Sequence, residues 1–486
     1  MQLSSLLQPW CDCSAQNCMV LDMQNDSRNV KAGDLFVAYP GAVSDGRQFL
    51  TQAVALGAVA IVYEPKRLPT SMVLPSQIPC IPIPDLAKQL AALATRFYAG
   101  SAESLWVTAV TGTNGKTTIA YQLTQAHQLL GRKAAYIGTI GQGDIRHLQP
   151  QINTTPDALC LQRLLADYRN QSIQNVCMEV SSHALTEHRV DHIAFCEAIY
   201  TNLSHEHLDY HQTMASYAKA KAALFSKTTL QWVLLNQDDA YVSQMAAVVP
   251  SSVQVFTYGI EQPADIRGHD CRLFIHGSEF TVTSPWGTQT VSIPSLGSFN
   301  IYNSLAVYGS LLAHGYPVAD AVRVMGQLTA SPGRMEIVAQ QPYVIVDYAH
   351  TPAALDNVLK TLIRLKADKT SKIWVVFGCG GDRDKTKRPL MGKIVSEQAE
   401  RVILTSDNPR HEDPDSIIQD IIVGIPTNAD VTTIVDRREA IQYALQSANK
   451  NDIVLIAGKG HEDYQIVGDK RSVFSDQAEV RQYLGG

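Results

Sequence analysis

Short apolar runs that stop at polar residues punctuate the chain, with helical patterns between them. LWVTAV (105–110) leads into TGTNGKTT (111–118), and TIAYQLTQAHQLL then places apolar residues at helical spacing, so strand, loop and helix are expected in that order. NVCMEVSSHAL (175–185), YVIVDYAH (343–350), KIWVVFGCGGD (372–382), RVILTSDNPR (401–410) and DIVLIAGKGHE (452–462) repeat the arrangement. Strands covered on both faces read as such unbroken apolar runs, and their alternation with helices predicts an α/β fold with parallel sheets. Nearer the N-terminus, DSRNVKAGDLFVAYPG, an alanine-rich helical stretch, the strand AVAIVYE and PCIPIPD, followed by a helix ending near Gly100, predict a small α/β unit. Length predicts roughly three domains, and punctuation at Pro332 and Gly333 places them at 1–100, 101–331 and 332–486.

Acids close these runs: Glu179, Asp347, Asp382, Asp407 and Glu462. Open α/β sheets bind ligands beyond the carboxyl ends of their strands, so sites are expected along those rims. In TGTNGKTT, Gly112 and Gly115 let backbone N–H groups face an anion, Lys116 can reach a terminal phosphate and Thr117 can ligate Mg²⁺. The spacing is not that of G-x-x-x-x-G-K-[ST], because Val110 stands at the first glycine. IYTNLSHEHLDYH (199–211) gathers His205, Glu206, His207, Asp209 and His211. That density suits a metal or proton-transfer site, with magnesium near phosphate favoured over a zinc helix; for any one histidine, a solvated or capping role stays as open as ligation.

Charge narrows the partners. Forty basic residues against 46 acidic ones give a net charge of −6, which offers no general attraction to nucleic acid or an anionic membrane. MQLSSLLQPWCDCS lacks a basic leader region, and no segment reaches the ~18 unbroken apolar residues of a membrane span, so a cytoplasmic chain with small-molecule partners is expected. Nine scattered cysteines fit a reducing compartment; Cys11, Cys13 and Cys18 cluster, but no matching pair follows at zinc spacing, so unpaired thiols are expected.

TGTNGKTT, EVSSH, TNLSHEHLDYH, SFNIYNSLAV, PGRME, VDYAHTP, FGCGGDRDKTKRP, SDNPR and AGKGHE succeed one another in the order found in the Mur ligases. With DSRNVKAGDLFVA in front, the chain resembles that family over nearly its whole length, most closely the members that add the third residue of the peptidoglycan stem peptide. The resemblance accounts for the loop, since G-T-N-G-K-T is the family's own spacing. It implies an α/β protein of three domains: an N-terminal α/β domain for the uridine nucleotide, a central P-loop ATPase domain with a mainly parallel sheet, and a C-terminal Rossmann-like domain for the amino acid. The implied activity is an ATP-dependent amide ligation on UDP-N-acetylmuramoyl-L-alanyl-D-glutamate through an acyl phosphate, by a monomer.

Residue roles follow from the same resemblance. Gly112, Thr113, Asn114, Gly115, Lys116, Thr117 and Thr118 would hold the ATP phosphates, Asn300 and Asn303 would lie near the adenine, and Arg334 and Asp347 near phosphates and ribose. Lys116, Glu179, His207 and Lys221 form the implied catalytic set. Thr117, Glu179, His207 and Lys221, the last carbamylated by CO₂, would hold Mg²⁺. Ser27, Ser44, Asn153, Thr154, Thr155, Ser181, Glu187 and Arg189 match positions for the UDP-sugar peptide; Glu187 stands where glutamine is common, and Ala353 replaces the aspartate of T-P-D-A-L. For the incoming amino acid the matching positions are Arg383, Asp407, Asn408, Pro409, Arg410, Gly458 and Glu462. Members adding meso-diaminopimelate carry D-N-P-R, whose arginine fork suits a second carboxylate, so that amino acid is expected. Three alternatives stand beside this reading. An L-lysine-adding ligase would usually lack the arginine, a folylpolyglutamate synthetase would not explain the DSR unit or SDNPR, and an ATP-dependent switch would not need amino-acid-dependent turnover.

Overall fold

The computed structural model describes residues 1–41, 44–68, 72–98, 105–366 and 370–485, so the boundary expected at residue 100 lies outside the described residues. The chain divides into two compact units, residues 1–116, 127–235 and 239–255 in one and 117–126, 236–238 and 256–486 in the other.

The first unit opens with a four-stranded parallel sheet, Asp22–Gln24, Asp34–Ala38, Ala60–Tyr63 and Cys80–Pro82 in that spatial order. Leu35, Val37, Val62 and Ile81 pack with Leu90 and Leu93 of the helix Leu86–Phe97. Ala158 and Leu159, from the helix Ala158–Asn170, belong to the same core. Asp157 caps that helix by accepting from the amides of Leu159 and Cys160, and also accepts from Asn25 Nδ2 at 3.2 Å. Arg163, six residues on, donates to the Tyr98 hydroxyl at 2.9 Å and to the Met23 carbonyl.

A second set of strands follows the order Trp232–Asn236, Glu197–Tyr200, Trp106–Thr111, Asn175–Glu179, Ala134–Gly138 and Gly141–Gly143, parallel except for the last pair. The expected strand at 105–110 is therefore found one residue later. Burial of both its faces, from Val107 through Thr111, explains why its sequence is mostly apolar.

In the second unit, the strands Ile266–Phe274, Gly277–Ser284 and Gly287–Ile293 run antiparallel, and the helix Ser298–Ala313 is buried along most of its length. A six-stranded sheet follows, ordered Glu336–Gln340, Tyr343–Asp347, Ile453–Ala457, Ile373–Phe377, Arg401–Leu404 and Val431–Thr433, with only the first pair antiparallel. Strand Ile453–Ala457 shows why an unbroken apolar run was needed: Ile453, Leu455 and Ala457 enter the core on one face, Val454 and Ile456 that on the other. Being last in sequence yet central in space, it sets Gly458 beside Asp347, and the Gly458 amide donates to the Asp347 carbonyl at 3.1 Å.

Candidate active site

Strand Trp106–Thr111 delivers the chain to a glycine-bearing loop, and the next helix begins at Lys116. Gly112 has φ 149° and Gly115 φ 89°; a Cβ on Gly112 would lie 1.8 Å from Thr201 Oγ1, so no larger residue fits. The loop rests on its neighbour, with Thr113 N donating to the Asn202 carbonyl at 2.7 Å and Asn114 N to Asn202 Oδ1 at 3.1 Å. Lys116 Nζ folds back onto the carbonyls of Gly112 (2.9 Å) and Thr113 (2.8 Å), while Thr117 and Thr118 are buried in the first helical turn.

Lys221 reaches the same loop from the helix Met214–Ala222. It is 1% exposed, donates from Nζ to the Gly112 carbonyl at 2.8 Å and lies 4.8 Å above the ring of Tyr217. Burial, and then the charge of Lys116, hold its ammonium well below the ordinary lysine pKa. Tyr217 completes the contact, its hydroxyl 3.2 Å from Thr113 Oγ1. Lys219, on the same helix, is exposed.

Glu179 ends its strand fully buried. It accepts from the Tyr136 hydroxyl (2.5 Å), the Thr139 amide (2.7 Å) and Thr139 Oγ1 (3.2 Å). Gly138 makes room for this carboxylate, since a Cβ there would meet Oε1 at 2.2 Å. Around it lie three expected substrate residues. Thr154 Oγ1 is 3.1 Å from Thr139 Oγ1, Thr155 donates to the Glu179 carbonyl at 2.8 Å, and Ser181 N donates to Thr155 Oγ1 at 3.1 Å. Asn153 is exposed in the same loop. Arg189 donates to the Thr155 carbonyl at 3.0 Å and pairs with Glu187 at 2.5 Å, so the glutamate standing in place of glutamine has a guanidinium as its partner.

The histidine-rich segment separates into different roles. His207 opens the helix Leu208–His211 with φ 57°, partly exposed and 5.1 Å from the His183 ring. Burial lowers its pKa while Glu206 pulls the other way. His211 is buried with Nε2 2.8 Å from Ser182 Oγ, whereas His205 and Asp209 face solvent. Among the described residues no three His, Cys, Asp or Glu side chains form a ready metal cluster. Ser27 and Ser44 line a cavity of about 580 Å³ together with Asn25, Arg28, Phe36 and Gln52; Ser27 is buried and donates to Gln52 Oε1 at 3.0 Å.

In the second unit, Asn300 Nδ2 donates to the Leu296 carbonyl at 2.7 Å, and Asn303 Nδ2 donates to Asn300 Oδ1 at 3.0 Å. Arg334 lies 4.6 Å over the Tyr348 ring, and its buried Nε has no hydrogen-bond partner among the described residues. Asp347 is buried and accepts from the amides of Met335 and Ala349; burial raises its pKa against the pull of Arg334 and those two donors.

Farther along the same rim, Asp407, Asn408, Arg410, Gly458 and Glu462 come together. Asn408 donates to Glu462 Oε2 at 2.8 Å, and a Cβ on Gly458, at φ 112°, would stand 2.7 Å from Asp407 Oδ2. Pro409 is buried, and Arg410, at φ 51°, donates through Nη1 to the Gly381 carbonyl at 2.8 Å. Arg383 is exposed nearby in sequence to Gly381. Asp382, expected as a rim acid, is instead bonded to the exposed imidazole of His411 at 3.0 Å.

Several side chains that sequence reasoning passed over support these groups. Lys459, 0% exposed, donates to Glu462 Oε2 at 3.0 Å and Asn408 Oδ1 at 3.2 Å, so Glu462 already has an ammonium partner within the chain. Below, Arg437 pairs with buried Asp476 through Nε (2.7 Å) and Nη2 (2.8 Å), and donates to the Ala457 carbonyl at 3.0 Å. Arg388 binds Glu412 and Asp420 and, with Lys385, holds the Glu412 carboxyl down at about 2. The position of Lys459 directly behind an apolar run was a usable signal; Tyr136, Thr139 and Arg437 gave none.

Comparison with known proteins accords with this architecture. Residues 22–98 match the Mur ligase family catalytic domain, 110–311 the Mur ligase middle domain and 333–460 the Mur ligase glutamate ligase domain. A UDP-N-acetylmuramoyl-L-alanyl-D-glutamate–2,6-diaminopimelate ligase of Alkalilimnicola ehrlichii is 42% identical, covering 100% of this chain and 99% of its own. One of the same name from Chromobacterium violaceum is 41% identical over 93% of this chain and 92% of its own. A solved structure of a ligase with that name is 37% identical, with a TM-score of 0.68 over 96% of this chain and 95% of the other. The chain belongs to the Mur ligase family.

Proposed function

We propose that this chain is an ATP-dependent, ADP-forming amide ligase that joins meso-diaminopimelate to the D-glutamate γ-carboxylate of UDP-N-acetylmuramoyl-L-alanyl-D-glutamate. The observation that carries the reading is the end-to-end match, at 42% identity, to a relative bearing that name. In this reading the domains are 1–100, 101–331 and 332–486, and the enzyme is a cytoplasmic monomer making peptidoglycan precursors.

The γ-carboxylate attacks the γ-phosphorus of ATP, forming an acyl phosphate and releasing ADP. The amine then attacks the acyl carbon, and inorganic phosphate leaves with the electron pair of the C–O bond. A carboxylate is a poor acyl donor, so phosphorylation supplies the leaving group, and the protein's task is positioning and charge neutralisation. Lys116, parked on loop carbonyls, moves to the phosphates; Arg334, with an unpaired Nε, takes the same kind of partner. Asn300 and Asn303 face the base, and Ser27, Thr154, Thr155, Ser181 and Arg189 take the UDP-sugar peptide. Arg410 and Arg383 meet the carboxylates of the amino acid.

The donor set fits magnesium on one condition. Glu179 and Thr117 offer oxygen and His207 an imidazole, but the ammonium form of Lys221 would repel a cation. Its depressed pKa favours the neutral amine: Nζ attacks CO₂, a new N–C bond forms, a proton is lost from nitrogen, and the neutral amine becomes an anionic carbamate. When bound there, Mg²⁺ would neutralise charge on the phosphates.

The test is phosphate release from ATP and the UDP-dipeptide with meso-diaminopimelate, L-lysine or no amino acid. Release with diaminopimelate alone is expected. Lysine-dependent release would overturn the side-chain assignment, and release indifferent to amino acid would overturn the ligase reading.

A further inference from the structure

Between Asn408 and Glu462 lies a charged group that the reaction scheme does not use. Lys459 has a side chain with no solvent exposure, and its ammonium is divided between Glu462 Oε2 at 3.0 Å and Asn408 Oδ1 at 3.2 Å. The ring of Tyr464 lies 5.4 Å from Nζ. A buried lysine ammonium is costly to desolvate and persists where partners are fixed around it.

Its geometry decides how Asn408 is turned. An asparagine side chain has one accepting and one donating end of nearly equal size. Here Lys459 Nζ and the Ile466 amide, both donors, stand on the same side, the latter at 3.0 Å. The carbonyl oxygen must face them, which leaves the NH₂ pointing at Glu462, to which it donates at 2.8 Å. A lysine cannot accept a hydrogen bond, so its presence permits one orientation of the amide only. The same cation fixes Glu462 Oε2, and the backbone of the next residues pins Arg410, whose amide donates to the Ile466 carbonyl at 3.1 Å.

We propose that Lys459 is a positioning residue for the incoming amino acid: by holding Asn408 and Glu462 in one arrangement, it sets the affinity of the pocket for that substrate without touching the phosphoryl-transfer groups. The proposal rests on the assignment of this rim as the amino-acid pocket. Lys459→Met removes the cation, Lys459→Gln keeps a donor without the charge, and Lys459→Arg keeps the charge.

Full-length protein is assayed by phosphate release, varying one substrate at a time, with thermal melting of each variant. The expected result for Lys459→Met is a KM for diaminopimelate raised roughly tenfold, the scale of a lost hydrogen bond to a charged group. KM values for ATP and the UDP-dipeptide should stay within about twofold, with partial recovery in Lys459→Arg. Should Lys459→Met fail to fold, Lys459→Gln carries the same test. A folded neutral variant with unchanged KM for diaminopimelate, or with all three KM values raised together, overturns the proposal. Failure of the unmodified protein to turn over with diaminopimelate overturns instead the functional reading on which it rests.

Discussion

Two buried lysines, Lys221 and Lys459, stand at the rims of two different sheets, and their surroundings give them opposite uses. Lys221 has a backbone carbonyl, a tyrosine face and the nearby charge of Lys116, with burial dominant in pressing its ammonium to release a proton. Lys459 faces a carboxylate and an amide oxygen that compensate its charge in place. Burial alone therefore does not decide what a lysine does; the partners it meets after desolvation do. One environment disfavours the ammonium, and the other surrounds it with oxygen acceptors.

The comparison breaks most visibly beneath Lys459. Arg437→Met should strand the buried carboxylate of Asp476 and lower stability by about 3–5 kcal/mol, measured by denaturant unfolding. The double variant Arg437→Met/Asp476→Leu should recover most of that loss. In the other region the cost moves from folding to chemistry. Lys221→Met is expected to lower kcat about 10²- to 10³-fold, the scale of a lost electrostatic stabiliser, with unfolding free energy at neutral pH unchanged or improved.

A pH series sharpens the contrast. Because the folded-state pKa of Lys221 is depressed, the unfolded chain binds one more proton between that value and the model-compound value of 10.5. Stability of CO₂-free protein should thus rise with pH through this window, by up to about 1.4 kcal/mol per unit, and fall again as pH drops toward the folded value. Lys221→Met should lack this contribution in paired unfolding titrations. The smallest effect belongs to exposed His411. Hydrogen bonds to Asp382 and then Asp469 raise its pKa above 6.5, so the contribution is full below 6.5 and lost as pH climbs through the raised value. An NMR titration of its ring should show a midpoint above 6.5, returning toward 6.5 in Asp382→Asn.

What was legible in the sequence follows the same division between backbone and partners. The runs around Val107, Val176, Val375 and Leu455 announced parallel strands because both faces of each are covered. The antiparallel strands at 266–293 were missed, since IRGHDCRLF exposes half its residues and lacks an apolar run. Lys116 and Glu179 stand out in the sequence through a loop motif and a strand end. Arg437 and Asp476 could not, because a charge buried against a partner 39 residues away looks, in sequence, like any surface charge. Asp382 illustrates the converse: its place after a strand suggested a binding acid, while its side chain is committed to His411.

Helix Ala158–Asn170 has a wider consequence. Its first residues complete the hydrophobic interior of the N-terminal sheet, Asp157 both caps it and receives Asn25, and Arg163 grips Met23 and Tyr98. Yet this helix begins three residues after Thr155, inside the loop that surrounds Glu179. The N-terminal segment is consequently not a detachable cassette. Exchanging it between relatives means carrying over the opening turn of that helix as well, and a recombination breakpoint drawn directly after residue 98 would separate a core from part of its own packing.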